Sequence, residues 1–188
     1  LKNKLNKLDI QRATQRKRRQ DLFKVALVGY TNAGKSTLFN LLTKSDVQTA
    51  DKLFTTLDST TRVMSSGYPC RIVFSDTVGF IKKLPHQLVE SFKSTLEEVT
   101  LADMLLHVVD CSDERYEDRI EQTRQVLEEI GAEKVPYLLV FNKVDVNPEF
   151  VPPLTNGNRQ FVISAEEGLG ISSLKAELTL ASSGCQSS

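Results

Sequence analysis

The run Gly29-Tyr30-Thr31-Asn32-Ala33-Gly34-Lys35-Ser36 constrains this chain more than any other stretch. It fits the phosphate-binding pattern GxxxxGK[ST]. Leu22 to Val28 before it reads as a buried strand, and Ser36-Thr37-Leu38-Phe39-Asn40-Leu41-Leu42 after it reads as a helix. Glycines let the backbone curl until successive N–H groups face one centre, and the positive end of the following helix points there. Lys35 can then reach the β- and γ-phosphates of a nucleotide, and the Ser36 hydroxyl can ligate Mg²⁺. A strand, loop and helix in this order require an α/β unit.

A phosphate loop does not choose the base. Asn142-Lys143-Val144-Asp145 follows the apolar run Tyr137 to Phe141, 107 residues after Lys35. Guanine presents N1–H and an amino group side by side, and a carboxylate at Asp145 can accept both. Adenine has no such donor pair. Matched polar groups discriminate strongly, because a mismatch leaves them buried and unpaired. Asn142 can bond the N7 edge of the base or brace the phosphate loop. The Lys143 stem can cover the ring face.

Asp76-Thr77-Val78-Gly79 ends the apolar run Arg71 to Ser75, 41 residues after Lys35. An acid at a strand's carboxyl end can hold Mg²⁺ through a water, and Gly79 lets its amide approach a γ-phosphate. Ser164-Ala165-Glu166 follows Gln160 to Ile163 and fits a loop whose backbone amides contact the guanine carbonyl oxygen. Between the first helix and second strand lies Asp51 to Arg62. A hydroxyl there must complete the Mg²⁺ shell; Thr56 is the first choice and Thr55 the second.

These five motifs in this order resemble a translation-factor-related GTP-binding protein. Several strings are closer still to the HflX branch, the ribosome-associated GTPases. They are Val25 to Asn40, Leu53-Phe54-Thr55-Thr56-Leu57-Asp58, Asp76 to Ile81 with Leu84-Pro85-His86, Ser91 to Glu98, and Leu105 to Asp110. The resemblance covers roughly residues 1 to 175. It implies a Ras-like P-loop GTPase fold, a three-layer α/β sandwich with a mainly parallel sheet. It also implies GTP and GDP as ligands with Mg²⁺, a monomer, and the large ribosomal subunit with its RNA as partner. HflX-type proteins carry a large N-terminal domain. Residues 1–20 read as the end of the helical arm that joins it, 21–181 as the GTPase domain and 182–188 as a flexible tail.

The remaining sequence agrees. Residues 1–24 hold nine Lys/Arg and two Asp/Glu, in a 188-residue chain with no net charge. The cluster Arg16-Lys17-Arg18-Arg19 is placed either to touch RNA phosphates or to face solvent. No apolar run approaches the roughly 20 residues of a membrane span. Cys70, Cys111 and Cys185 lack CxxC spacing and read as thiols of a reducing cytoplasm. His107, inside a strand-like run, reads as a packed side chain. Stripes at helical spacing (Leu88, Phe92, Leu96, Val99; Tyr116, Ile120, Thr123, Leu127, Ile130; Ile171, Leu174, Leu178) read as core faces. Four prolines and glycines between Asn142 and Ser164 shorten the helix expected there.

The expected reaction is GTP plus water to GDP plus phosphate. Lys35, the loop amides and Mg²⁺ stabilise charge, while the γ-phosphate holds Thr56 and Gly79. Ras-like proteins place a water-orienting Gln after DxxG. This chain has Phe80, a hydrophobic residue shared with HflX relatives, so slow intrinsic turnover is expected. Asn32 in GxxNxGKS resembles potassium-activated GTPases, where that Asn ligates K⁺; it otherwise satisfies loop backbone groups. A GTPase of ribosome assembly or RNA modification is the alternative with the same core. A kinase using ATP is disfavoured by Asp145.

Overall fold

The computed structural model describes residues 22–43, 60–64, 71–77, 93–154 and 159–183. Six strands form one sheet: β1 (Leu22–Val28), β2 (Thr60–Val63), β3 (Arg71–Asp76), β4 (Met104–Asp110), β5 (Tyr137–Asn142) and β6 (Gln160–Val162). Their spatial order is β2-β3-β1-β4-β5-β6. The β2–β3 pair is antiparallel and the other four pairs are parallel. Four helices are described: α1 (Lys35–Thr43), α2 (Lys93–Thr100), α3 (Tyr116–Glu129) and α4 (Ile171–Ser183).

The three layers follow from the two-residue period of a strand. In β1, Val25 and Leu27 join Leu38, Phe39 and Leu42 of α1 and Leu174 and Leu178 of α4 in one core. Ala26 and Val28, on the opposite face, join Val99 of α2 and Leu127 of α3 in another. Strands buried on both faces need near-continuous apolar sequence. Phe23, Leu105, Leu106, Val108, Val140 and Phe141 supply it, all at most 5% exposed. The stripes read from the sequence are core faces where they are described, with Leu96 and Val99 on α2 and Ile171, Leu174 and Leu178 on α4.

The β5–β6 connection contains no helix among its described residues. Pro148, Pro152 and Pro153 lack the N–H that a helix would need. Phe150 instead packs against Phe141 and Tyr116, with ring centroids 4.9 and 5.5 Å apart. At the other end, α4 runs to Ser183, two residues past the boundary drawn at 181. Ser182 is buried and donates to the Thr179 carbonyl, so this serine completes a helical turn. Residues 1–20 and 184–188 lie outside the described residues.

Candidate functional site

The functional side chains gather at the carboxyl ends of β1, β3, β4, β5 and β6, where open α/β sheets bind ligands. The loop from Gly29 to Gly34 leaves β1 with three positive φ values: Gly29 at 147°, Asn32 at 61° and Gly34 at 90°. A Cβ at Gly29 would lie 2.2 Å from the Val108 carbonyl oxygen. One at Gly34 would lie 2.2 Å from Asn142 Nδ2. Both glycines are therefore required by close approach as well as by dihedral angle. Helix α1 starts at once from Lys35, and its first-turn amides have no acceptor within the helix. Tyr30, Thr31, Asn32 and Ala33 form the outer wall of the loop, with Thr31 and Asn32 exposed and Ala33 buried. Thr37 faces solvent on the first turn.

Lys35 is 6% exposed. Its ammonium donates to the carbonyls of Gly29 at 3.1 Å and Tyr30 at 2.8 Å. Two of three donors are thus committed, leaving one for an anion. Burial lowers its pKa to about 8, and the Asp76 carboxylate pulls the other way. Asp76 closes β3, and burial raises its pKa against the opposing Ser36 hydrogen bond and the charges of Lys35 and Arg62. Ser36 Oγ donates to Asp76 Oδ2 at 2.9 Å. The other oxygen, Asp76 Oδ1, is buried without a hydrogen-bond partner. A hydroxyl beside a carboxylate with a buried, unsatisfied oxygen is a hard-cation donor set, which fits Mg²⁺. Neighbouring Thr77 anchors this strand end by donating its hydroxyl to the Leu27 carbonyl.

Asn142 is the hinge pin of the other half. It is 2% exposed, its Nδ2 donates to the Ala33 carbonyl at 2.9 Å, and its Oδ1 accepts the Ala165 amide at 2.9 Å. Of the two roles open to this side chain, the geometry is that of the brace. The same side chain ties the Ser164-Ala165-Glu166 loop to the phosphate loop, since the Ala165 N–H that it accepts belongs to the first of these. Ser164 is buried and takes the Glu167 amide on its hydroxyl, while Glu166 is exposed. Lys143 adopts φ 70°, and Val144 donates its amide to the Ile163 carbonyl, tying the two base-side loops together. Asp145 Oδ1 is buried with no partner. Three residues apart, Asn142 bonds the protein and Asp145 retains an acceptor.

Thr55, Thr56, Gly79 and Phe80 lie outside the described residues. His107 is packed as expected, 3% exposed, and burial pushes its pKa down to about 4. Cys111 is a buried free thiol whose pKa burial and Asp110 push up to about 11. Two features were missed. Asp110 Oδ2 accepts the Lys143 ammonium at 2.5 Å. Arg119 stacks on the Tyr30 ring at 4.2 Å while pairing with Asp113, beside a cavity of about 290 Å³ on the outer side of the loop. Neither carries a spacing signal in sequence, because each depends on which strands become neighbours.

Known proteins bear on this geometry. The family model described as 50S ribosome-binding GTPase matches residues 24–143. GTPase HflX of Magnetococcus marinus is 50% identical over 187 residues, covering 95% of this chain and 42% of the relative. GTPase HflX of Escherichia coli is 45% identical over 185 residues, covering 95% and 43%. The chain thus spans about two fifths of the length of these relatives. Among solved structures, Era in complex with MgGDPNP and nucleotides 1506–1542 of 16S ribosomal RNA aligns with a TM-score of 0.64 at 29% identity. The alignment covers 86% of this chain and 57% of that one. A GTP-binding protein of Sulfolobus solfataricus in complex with GDP aligns at 0.63 and 25% identity, over 97% and 58%. With its phosphate loop, Asn142 brace and family match in agreement, this chain belongs to the 50S ribosome-binding GTPase family and is of the HflX type.

Proposed function

We propose that the site binds GTP and GDP with Mg²⁺, hydrolyses GTP, and switches a protein that acts on the large ribosomal subunit in the cytoplasm. The observation that carries this reading is that two carboxylate oxygens of the site, Asp145 Oδ1 and Asp76 Oδ1, are buried without a hydrogen-bond partner. Each is a costly group to leave unsatisfied unless a ligand completes it. Asp145 suits the paired N–H donors of guanine. Ser36, and Asp76 through a water, would hold Mg²⁺, with Thr56 as the switch ligand. The ion, when bound, supplies positive charge against the β- and γ-phosphate oxygens.

The chain's own residues do the positioning. The free Lys35 donor meets a phosphate oxygen, and the α1 amides face the same charge. Gly79 is assigned to the γ-phosphate by its motif, as Thr56 is. With Phe80 where a water-orienting Gln would stand, the isolated domain turns over slowly. K⁺ at Asn32 is the proposed aid, and the large subunit is the other. Identities of 45–50% to GTPase HflX proteins support the HflX-like reading, whose proposed role is ribosome recycling or rescue, with ribosome assembly or RNA modification as the alternative. No described helix is long and apolar enough to cross a membrane.

Steady-state hydrolysis in K⁺ and in Na⁺ at matched ionic strength, with and without purified large subunits, tests this reading. Slow turnover accelerated by subunits is expected. Fast turnover in Na⁺ without subunits refutes the slow switch. Equal rates in the two salts remove K⁺ alone.

A further inference from the structure

We infer that Asp110 is a positioning residue of the base slot. Its carboxylate anchors the Lys143 ammonium, and so presets the Lys143 stem as one wall against a planar purine. The inference rests on the guanine-nucleotide reading of the site.

The sheet puts the two residues together. Asp110 is opposite Asn142 on the last rung of the β4–β5 ladder, so its carboxylate sits beside the residue that precedes Lys143. Lys143 holds a left-handed φ of 70°, which strains a non-glycine residue and persists only where neighbours over-determine it. Its surroundings do so. Val144 and Val146 fix its backbone, through the Ile163 carbonyl and the Lys143 carbonyl, and Asp110 fixes its far end.

The carboxylate is itself aimed. Asp110 Oδ1 accepts both the Ser112 amide at 2.9 Å and the Ser112 hydroxyl at 2.5 Å, which leaves Oδ2 for the ammonium. These bonds hold its pKa below the ordinary carboxylate range despite burial. A second bolt joins the same segments: Cys111 donates its amide to the Asn142 carbonyl, and Asn147 Nδ2 donates to the Cys111 carbonyl at 3.1 Å. The side chains of the pair are 34% and 22% exposed, so this is a half-buried contact and not a solvated one. A lysine otherwise carries one of the largest rotamer entropies of any side chain. Fixing it beforehand removes that loss from nucleotide binding.

The test is a double-mutant cycle read as dissociation constants for fluorescent GDP and for GTP, with melting curves to verify folding. Asp110→Asn should weaken both nucleotides by the same factor, roughly two- to tenfold for one freed side chain. Lys143→Met keeps a straight stem, loses the anchor, and should weaken binding to a similar degree. With Met at 143, adding Asp110→Asn should change nothing further. A carboxylate that merely shapes the turn would give additive losses, and that result overturns the inference. So does parental affinity in folded Asp110→Asn or, if that variant fails to fold, parental affinity in Lys143→Met. A parent chain that does not bind guanine nucleotides would instead remove the underlying reading of the site.

Discussion

The middle of the sheet and its carboxyl edge are built from the same strands on opposite terms. Along β1, the middle is Val25, Ala26, Leu27 and Val28, each at most 1% exposed and packed in ordinary extended backbone. The next residues are Gly29 at φ 147°, Asn32 at 61°, Gly34 at 90° and a lysine buried among carbonyls. Strand β5 repeats the contrast. Leu138 to Phe141 are buried and apolar, and then come a bonded Asn142, a left-handed Lys143 and an Asp145 with an unsatisfied oxygen. The middle obeys the rules that make a core. The edge breaks several of them at once, and the breaks converge on one centre. Local rules that fail together mark where stability is given up for a ligand.

The largest effect is expected where the edge is made to behave like the middle. Lys35→Ala removes a desolvated charge together with its bonds to the Gly29 and Tyr30 carbonyls, two opposing effects, so the protein should stay folded. GTP affinity or turnover should fall by about a hundredfold or more. A folded Lys35→Ala chain with unchanged Mg²⁺-dependent hydrolysis would show that the lysine has no phosphate role.

Gly34→Ala probes the geometry in place of the charge. The added methyl would meet Asn142 Nδ2 at 2.2 Å in backbone at φ 90°. Strain and a weakened brace together should cost about 2–4 kcal/mol. In a chain of this size that lowers the melting temperature by roughly 4–15 °C. A melting temperature within a degree of the parent's would mean that the loop relaxes freely.

A smaller effect follows from Lys35, whose pKa is about 8 in the structure described. Phosphates raise it again, so binding above pH 8 must take up a proton. Affinity should be flat below that pH and fall above it, by at most about tenfold per unit. Calorimetry of GDP binding at pH 8.5, in two buffers of different ionisation enthalpy, should show net proton uptake. No uptake contradicts the lowered pKa.

The interiors of β1, β3 and β5 were legible because each is an apolar run bounded by turn residues. Strand β2 was not: it starts at Thr60, inside the Asp51 to Arg62 segment set before the second strand, and Thr60-Thr61-Arg62-Val63 has no apolar run. The run from Leu22 reads as β1 to the residue, and the Arg71 and Tyr137 runs each extend one residue further than read. Phosphate loop, Asp76 and Asn142 were legible because their chemistry fixes their spacing along the chain. Asp110 was not, since its partner lies 33 residues away and meets it only through the β4–β5 register. The last turn of α4 was not either. Ala181-Ser182-Ser183 has the composition of a tail, and only tertiary burial of Ser182 makes it helix. Nor does sequence reveal that Asn142 takes the Ala165 amide, which requires β6 to place its loop beside β5.

On the proposed function, the carboxyl edge of this sheet selects guanine. Competition against a bound fluorescent GDP analogue tests it most directly, using GTP, ATP and xanthosine triphosphate on the parent and on Asp145→Asn. On the parent, GTP should displace the probe while ATP fails at large excess, since adenine offers Asp145 no donor pair. In Asp145→Asn, GTP should weaken sharply and the xanthine nucleotide gain, because its 2-oxo group meets the new amide donor. ATP displacing the probe from the parent as readily as GTP, or an Asp145→Asn chain that binds GTP as the parent does, would contradict the account.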